Sequence, residues 1–274
     1  MKKTVIVHDL RCGLFRWKYA LIPFLLLLSQ LSMQMVSRMM GVVPNLTDFL
    51  MSAFDGMDPI RMNGAFETIR LPIRWIVATC GCLYINLDYF LGDLTTSGHQ
   101  IILKGGSRPG WFLSKCLWNL VSCLIYFAVY IVLALVLTGI FGGKFFPLGI
   151  SEATAYYFEG KLLPGQIGAA RELWIGVLLP FLTVWGLCLL QMTLCLFTRP
   201  ILSFISCLSI VIISAFIPSP LLLGNGAMAV RSTFVEMGMI DPVMQTASCA
   251  VVIVGSIAAG LIRFKHTDIL GTKE

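Results

Sequence analysis

"CLWNLVSCLIYFAVYIVLALVLTGIF", residues 116–141, carries no charged side chain from end to end. An α-helix rises about 1.5 Å per residue, so about 20 apolar residues cross the roughly 30 Å hydrocarbon layer of a bilayer. This stretch is longer than that and has nothing to offer water. It reads as a transmembrane helix. Working outward, five more apolar runs follow the same logic: Tyr19–Ser37, Ile73–Gly92, Leu173–Phe197, Ile201–Ile217 and Val243–Ile262. Ile201–Ile217 is the shortest. The expected fold is an all-α membrane protein of six transmembrane helices, forming one membrane domain over residues 1–274.

Composition agrees. Hydrophobic residues make up 57% of the chain and charged residues 12%, and the mean hydropathy is +0.86. A soluble domain carries about a quarter charged residues. The first run lies too deep, and lacks the small-residue cleavage site, to be a removed signal peptide, so it reads as a retained first helix.

Lys and Arg set the orientation. With a cytoplasmic N-terminus the inner segments hold twelve basic residues: Lys2, Lys3, Arg11, Arg16, Lys18, Lys104, Arg108, Lys115, Arg199, Arg263, Lys265 and Lys273. Four acidic residues accompany them (Asp9, Asp93, Asp268, Glu274), against eight basic and nine acidic residues outside. Both termini are therefore expected in the cytoplasm. The net charge of +6 is then a topology signal and not a nucleic-acid footprint.

Residues 1–18 place Val7, Leu10, Leu14 and Trp17 on one side of a helix, with Arg11 and Lys18 flanking it. That pattern suits an amphipathic helix lying in the inner interface among the membrane lipids. Arg11, Arg16, Trp17 and Lys18 would hold it there, either as a simple anchor or as a lever toward a cytoplasmic partner. The connection Thr198–Pro200 is so short that the runs on either side must form a tight antiparallel hairpin, with Pro200 suited to opening a helix. Residues 218–242 are apolar enough to dip into the membrane or to pack on the helix tops.

Catalytic chemistry is scarce. Gly143–Lys144 and Gly160–Lys161 are followed by Phe and Leu, not by the Ser or Thr of a phosphate-binding loop. His8, His99 and His266 fall at unrelated places, and neither HExxH nor GxSxG occurs. None of the nine cysteines lies in an outer loop, and Cys80 and Cys82 form only a CxC inside a span, which predicts small packing residues and no metal. Asp88 alone lies well inside a span, about 6 Å from its inner end, within reach of interfacial water, of a neighbouring Lys or of a helix contact. No proton relay is offered. The chain is not expected to be an enzyme, and energy would have to come from another molecule through a cytoplasmic surface.

Six spans with both ends inside, followed after span two by "GDLTTSGHQIILKGGSRPGWFLSK" (92–115), resemble the permease subunits of ABC-2-type transporters. In that family span two leads into a basic Ser-Arg, Trp, Ser-Lys pattern. Ser107, Arg108, Trp111, Ser114 and Lys115 match it, while Pro109 departs from it by stiffening the residues after Arg108. "FKHTDIL" (264–270) and, more loosely, "GNGAMAVRS" (224–232) are similar to stretches of small bacterial members. The resemblance implies a multi-pass subunit of a bacterial plasma-membrane exporter, paired with an identical or related permease. Two copies of a separate ABC ATP-binding subunit would carry ATP and magnesium, and this chain would carry no cofactor of its own. The cargo would be an antimicrobial peptide or another amphipathic molecule. Residues 93–115 would be the cytoplasmic coupling segment, with Lys104, Ser107, Arg108, Trp111 and Lys115 in the ATPase-coupling role.

The residues themselves fit such a role. Ser107 or Arg108 is placed to cap a helix holding Pro109 in its first turn, and Trp111, Lys115 and Trp118 share one face. Trp111 and Lys115 would anchor at headgroup depth, and docking would fall to the part before Pro109. Positive-inside anchoring alone would use the same residues. A second reading also remains: a non-transporting immunity, sensor or scaffold protein without an ATPase partner.

Overall fold

The computed structural model describes residues 9, 13–14, 17–59, 72–93, 107–158 and 160–266. Among them the secondary structure is helical, with a single isolated bridge between Ser232 and Ile240. All six apolar runs become helices. They are α1 (Leu21–Met40), α3 (Ile73–Asn86) with α4 (Tyr89–Asp93), α5 (Arg108–Ile140), α7 (Ala169–Leu173) continuing into α8 (Leu179–Leu194), α9 (Pro200–Phe216) and α10 (Pro242–His266). Short α2 (Leu46–Met51) and α6 (Glu152–Tyr157) lie in the connections. Among the described residues four segments are long and apolar enough to cross a membrane: Ile73–Asp93, Arg108–Ile140, Ala169–Leu194 and Pro242–Lys265. The α9 helix is apolar but shorter.

The helix α5 starts eight residues before the expected span, at Arg108 instead of Cys116. Ser107 is its N-cap, its Oγ accepting from Gly110 N at 3.2 Å, and Pro109 sits in the first turn where no helical N–H is required. At 33 residues α5 is about 50 Å long, some two-thirds more than the hydrocarbon thickness. Its buried face runs Trp111, Lys115, Trp118, Ser122, Tyr126, Tyr130, Ala134 and Leu137 at helical spacing. Leu124, Val132, Leu135, Val136 and Ile140 face outward. After Arg108 the hydrophilic side chains of α5 are turned inward, and its outward face is aliphatic. Helix α9 likewise exposes Ile201, Leu202, Ile205, Ile212 and Phe216, and it buries Ser203, Cys207, Val211, Ser214 and Ala215. Contiguous aliphatic faces of that size are costly in water and suit a lipid surround.

Local breaks have local causes. Between α3 and α4 the chain turns at Leu87–Asp88, where Asn86 Nδ2 bonds back to Cys82 O at 2.9 Å and competes with the helical ladder. Ahead of α8, Trp174–Leu178 widens into a π-turn, which makes room for the ring of Pro180. The α8–α9 connection is the expected tight hairpin, and Pro200 opens α9.

Buried polar groups tie the bundle across helices, as expected where lipid leaves no aqueous partner. Gln30 Nε2 donates to Tyr130 O (3.1 Å), joining α1 to α5. Tyr126 donates to Ala78 O (2.8 Å), Gln191 Nε2 to Leu83 O (3.2 Å) and Thr193 Oγ1 to Ser256 O (2.9 Å). These bonds join α5 to α3, α8 to α3, and α8 to α10.

At one end the three longer connections merge into a cap. Asp48, fully buried, accepts from Asn45 N, Ser151 N and Thr154 Oγ1 at 2.6–2.8 Å, stitching residues 45–48 to 151–154. Burial raises its pKa, and those bonds only partly offset the rise. Asp55 pairs with Arg74, yet burial still lifts its carboxyl to about 6. Residues 218–242 pack on the helix tops through two glycines. A Cβ on Gly224 would lie 2.6 Å from Ser214 Cβ, and one on Gly226 would lie 2.4 Å from Thr183 Oγ1. Arg231, 1% exposed, donates to Ser214 O and to Ala215 O (2.6 Å), carbonyls of the last turn of α9 that have no helical partner. Burial lowers its pKa to about 10, so it stays charged at neutral pH. Arg231 thus caps α9 from inside the protein.

Candidate functional site

At the opposite end of the bundle the polar start of α5 is folded inward. Lys115 has no exposed surface, and its Nζ lies 2.5 Å from Asp9 Oδ1 and 2.6 Å from Asp93 Oδ2. Both carboxylates are themselves buried. Ser114 donates from its hydroxyl to the other Asp9 oxygen, and Tyr89 OH donates to Asp9 Oδ1 and to its carbonyl, both at 3.2 Å. The ammonium also lies 4.5 Å from the Tyr89 ring centre and 4.9 Å from that of Trp111. One cation thereby holds together the N-terminal segment (Asp9), the end of α4 (Asp93) and the second turn of α5.

Aromatic packing closes this knot. Trp118 lies 4.2 Å from Tyr89 between ring centres, and a Cβ on Gly13 would meet Trp118 Nε1 at 2.1 Å. Trp111 stacks on Phe264 at 5.1 Å, while Phe90 and Phe112 complete the cluster. Gly260 leaves room for Phe112, whose ring would lie 2.1 Å from an added Cβ, so α10 comes flush against α5. Around this dry core the exposed start of α5 carries Ser107 and Arg108, and Arg108 Nη1 donates to Lys265 O at 3.0 Å.

These positions correct part of the sequence reading. Trp111 and Lys115 share a face with Trp118, but that face looks into the protein. Both side chains are enclosed by the protein, away from headgroups and from any partner surface, and the ammonium is paired with two buried carboxylates. Ser107 and Arg108 are exposed as a docking role requires. Lys104, with the rest of 94–106, lies outside the described residues, as do Arg11, Arg16 and the side chain of Trp17. Lys18 pairs with Asp88 and lies 4.4 Å from the Tyr84 ring centre, so Asp88 takes the Lys neighbour open to it. Asp9, Tyr89 and Asp93 were missed as site residues. The signal was the stripe Trp111, Lys115, Trp118, Ser122, Tyr126: a polar and aromatic row on an otherwise aliphatic helix is the inward row in lipid.

Chemically the knot is a fastener. Its Ser114 hydroxyl and its Lys115 ammonium are both buried and both taken up by Asp9. Residues 49–270 match the family model described as "Protein of unknown function (DUF2705)", and the chain belongs to that family. No curated protein and no solved structure matches the chain.

Proposed function

We propose that this chain is the membrane subunit of an ATP-driven exporter in a bacterial plasma membrane. All six apolar helices cross the bilayer in this reading, and both ends of the chain lie in the cytoplasm. The exposed aliphatic faces of α5 and α9 and the Lys/Arg asymmetry support that topology. A second permease, identical or related, completes the membrane part. ATP and magnesium belong to two copies of a separate ATP-binding subunit, and the cargo is a peptide or another amphipathic molecule.

The observation that carries the reading is the Lys115 knot. An exporter without its own energy source needs a cytoplasmic end that moves as one body. Asp9, Asp93 and Lys115 fasten the N-terminal segment, α4 and α5 together behind the exposed Ser107 and Arg108. Force applied at Arg108 then passes into three elements, and α5 carries it unbroken to Ile140. A flexible anchor would absorb the same force.

The test is co-purification. The tagged chain should hydrolyse no ATP alone but should bring down an ATP-binding protein from its native host. Arg108→Glu should weaken that association or uncouple ATP use from export while insertion stays normal. Unchanged association and export in Arg108→Glu would remove the docking assignment. Ligand protection that survives ATP depletion would favour the non-transporting immunity, sensor or scaffold reading.

A further inference from the structure

In the middle of the bundle, away from the knot, three helices each contribute one cysteine to the same point. Cys82 of α3, Cys123 of α5 and Cys188 of α8 have their sulfurs within 4.8 Å of one another, and each is at most 1% exposed. Cys82 Sγ lies 3.9 Å from Cys123 Sγ and 3.9 Å from Cys188 Sγ. Cys82 therefore gains two partners from distant helices that the sequence spacing could not disclose. Metal–thiolate bonds are about 2.3 Å, so an ion in the plane of three sulfurs needs them about 4.0 Å apart. Two edges of this triangle already have that length. An amide donor faces two of the three sulfurs. Asn86 Nδ2 points at Cys82 Sγ (3.6 Å) and Cys188 Sγ (3.7 Å) and is fixed by its bond to Cys82 O.

We propose that Cys82, Cys123 and Cys188 form a binding site for a monovalent thiophilic cation of the copper(I) class. The group contains no fourth Cys, His or carboxylate among the described residues, whereas zinc in structural sites takes four ligands in a tetrahedron. Three soft sulfur donors select copper(I). Charge selects the same ion. The three cysteines belong to the buried hydrophobic cluster that also holds Leu83, Tyr126 and Leu187, and a net charge there is costly. One Cu⁺ enters and one thiol proton leaves to solvent. The product, one thiolate and two thiols around the ion, is neutral, and no electron is transferred. Asn86 donates to the thiolate and orients two of the three ligands. The bound ion staples α3, α5 and α8 at mid-depth. Because the sulfurs are enclosed, loading follows an opening of the helix packing and is slow.

The experiment is an anaerobic competition titration of the purified full chain with copper(I) against bicinchoninate, incubated to equilibrium, with X-ray absorption on the loaded protein. One ion per chain should bind, with three sulfur scatterers at about 2.3 Å. Cys82→Ser, Cys123→Ser and Cys188→Ser should each lose at least about 100-fold in affinity, Asn86→Leu about 10- to 100-fold, and Cys80→Ser and Cys207→Ser nothing. Thermal unfolding without copper checks that each variant is folded. The sulfur count on the unaltered chain stands even if a variant is not. No competition with the chelator, fewer than three sulfurs at the ion, or equal binding by the three serine variants would overturn the site.

Discussion

Replacing Lys115 by Met probes the fastening directly. The side chain keeps its length and its packing against Trp111 and Tyr89, while the charge disappears. Two carboxylates then remain in a dry pocket: Asp9 and Asp93, with side chains 1% and 3% exposed. Breaking a buried ion pair by removing one partner costs about 3–5 kcal/mol, because the desolvation of the survivor is no longer offset. Here one ammonium serves two carboxylates, so the upper part of that range applies. Asp9 retains its donors from Ser114 and Tyr89, which keeps the figure near 5 kcal/mol instead of well beyond it. For a chain of this size the melting point should fall on the order of 10 °C. A thiol-reactive dye reads this well, since Cys116 is buried beside the site and becomes accessible on unfolding. The decisive control is the neutral triple variant Lys115→Met, Asp9→Asn, Asp93→Asn. It removes the charges together and should recover most of the loss, since replacing a whole buried pair is often near neutral. A single variant that melts within 1–2 °C of the parent would refute the fastener, as would a triple variant as weak as the single one.

Two more outcomes follow from particular contacts. On α10, Gly260→Ala should destabilise by about 1–3 kcal/mol, because its Cβ would lie 2.1 Å from Phe112 Cζ in a packed aromatic cluster. Gly255→Ala, where nothing lies within 4 Å, should be neutral or slightly stabilising in the same melt. For Asp55, burial raises the folded pKa to about 6 from an ordinary 3.8. A raised carboxyl pKa means the folded state favours the protonated form. The stabilisation is full below about pH 4 and is lost as pH rises through 6. The melting point of the parent minus that of Asp55→Asn should therefore decline from pH 4 to pH 7, and a flat difference would contradict the burial argument.

Much of the fold was legible because lipid imposes a simple rule on sequence. Apolar runs of about 20 residues must be helical to satisfy their own backbone, and all six runs are helices. The Thr198–Pro200 hairpin and the Ser107 cap were also readable, since both depend on residues within a turn of each other. Helix α5 begins two turns before its apolar run at Cys116, as that cap implies. Composition marks where the hydrocarbon starts, whereas hydrogen bonding and caps decide where a helix starts, and these need not coincide.

What the sequence determined by itself was the class of molecule, the placement of its long helices and the exposure of Ser107 and Arg108. Local periodicity and hydropathy carry that information. Tertiary structure alone decided that Lys115 points inward to Asp9 and Asp93, that Arg231 caps α9 instead of facing water, and that Cys82, Cys123 and Cys188 meet. Each of those contacts joins residues at least 16 positions apart. A charged or soft side chain in a membrane protein takes whatever partner the helix packing brings within about 4 Å, because an unpartnered one is too costly there. The spacing of residues along the chain names the candidates, and only the packing of helices selects among them.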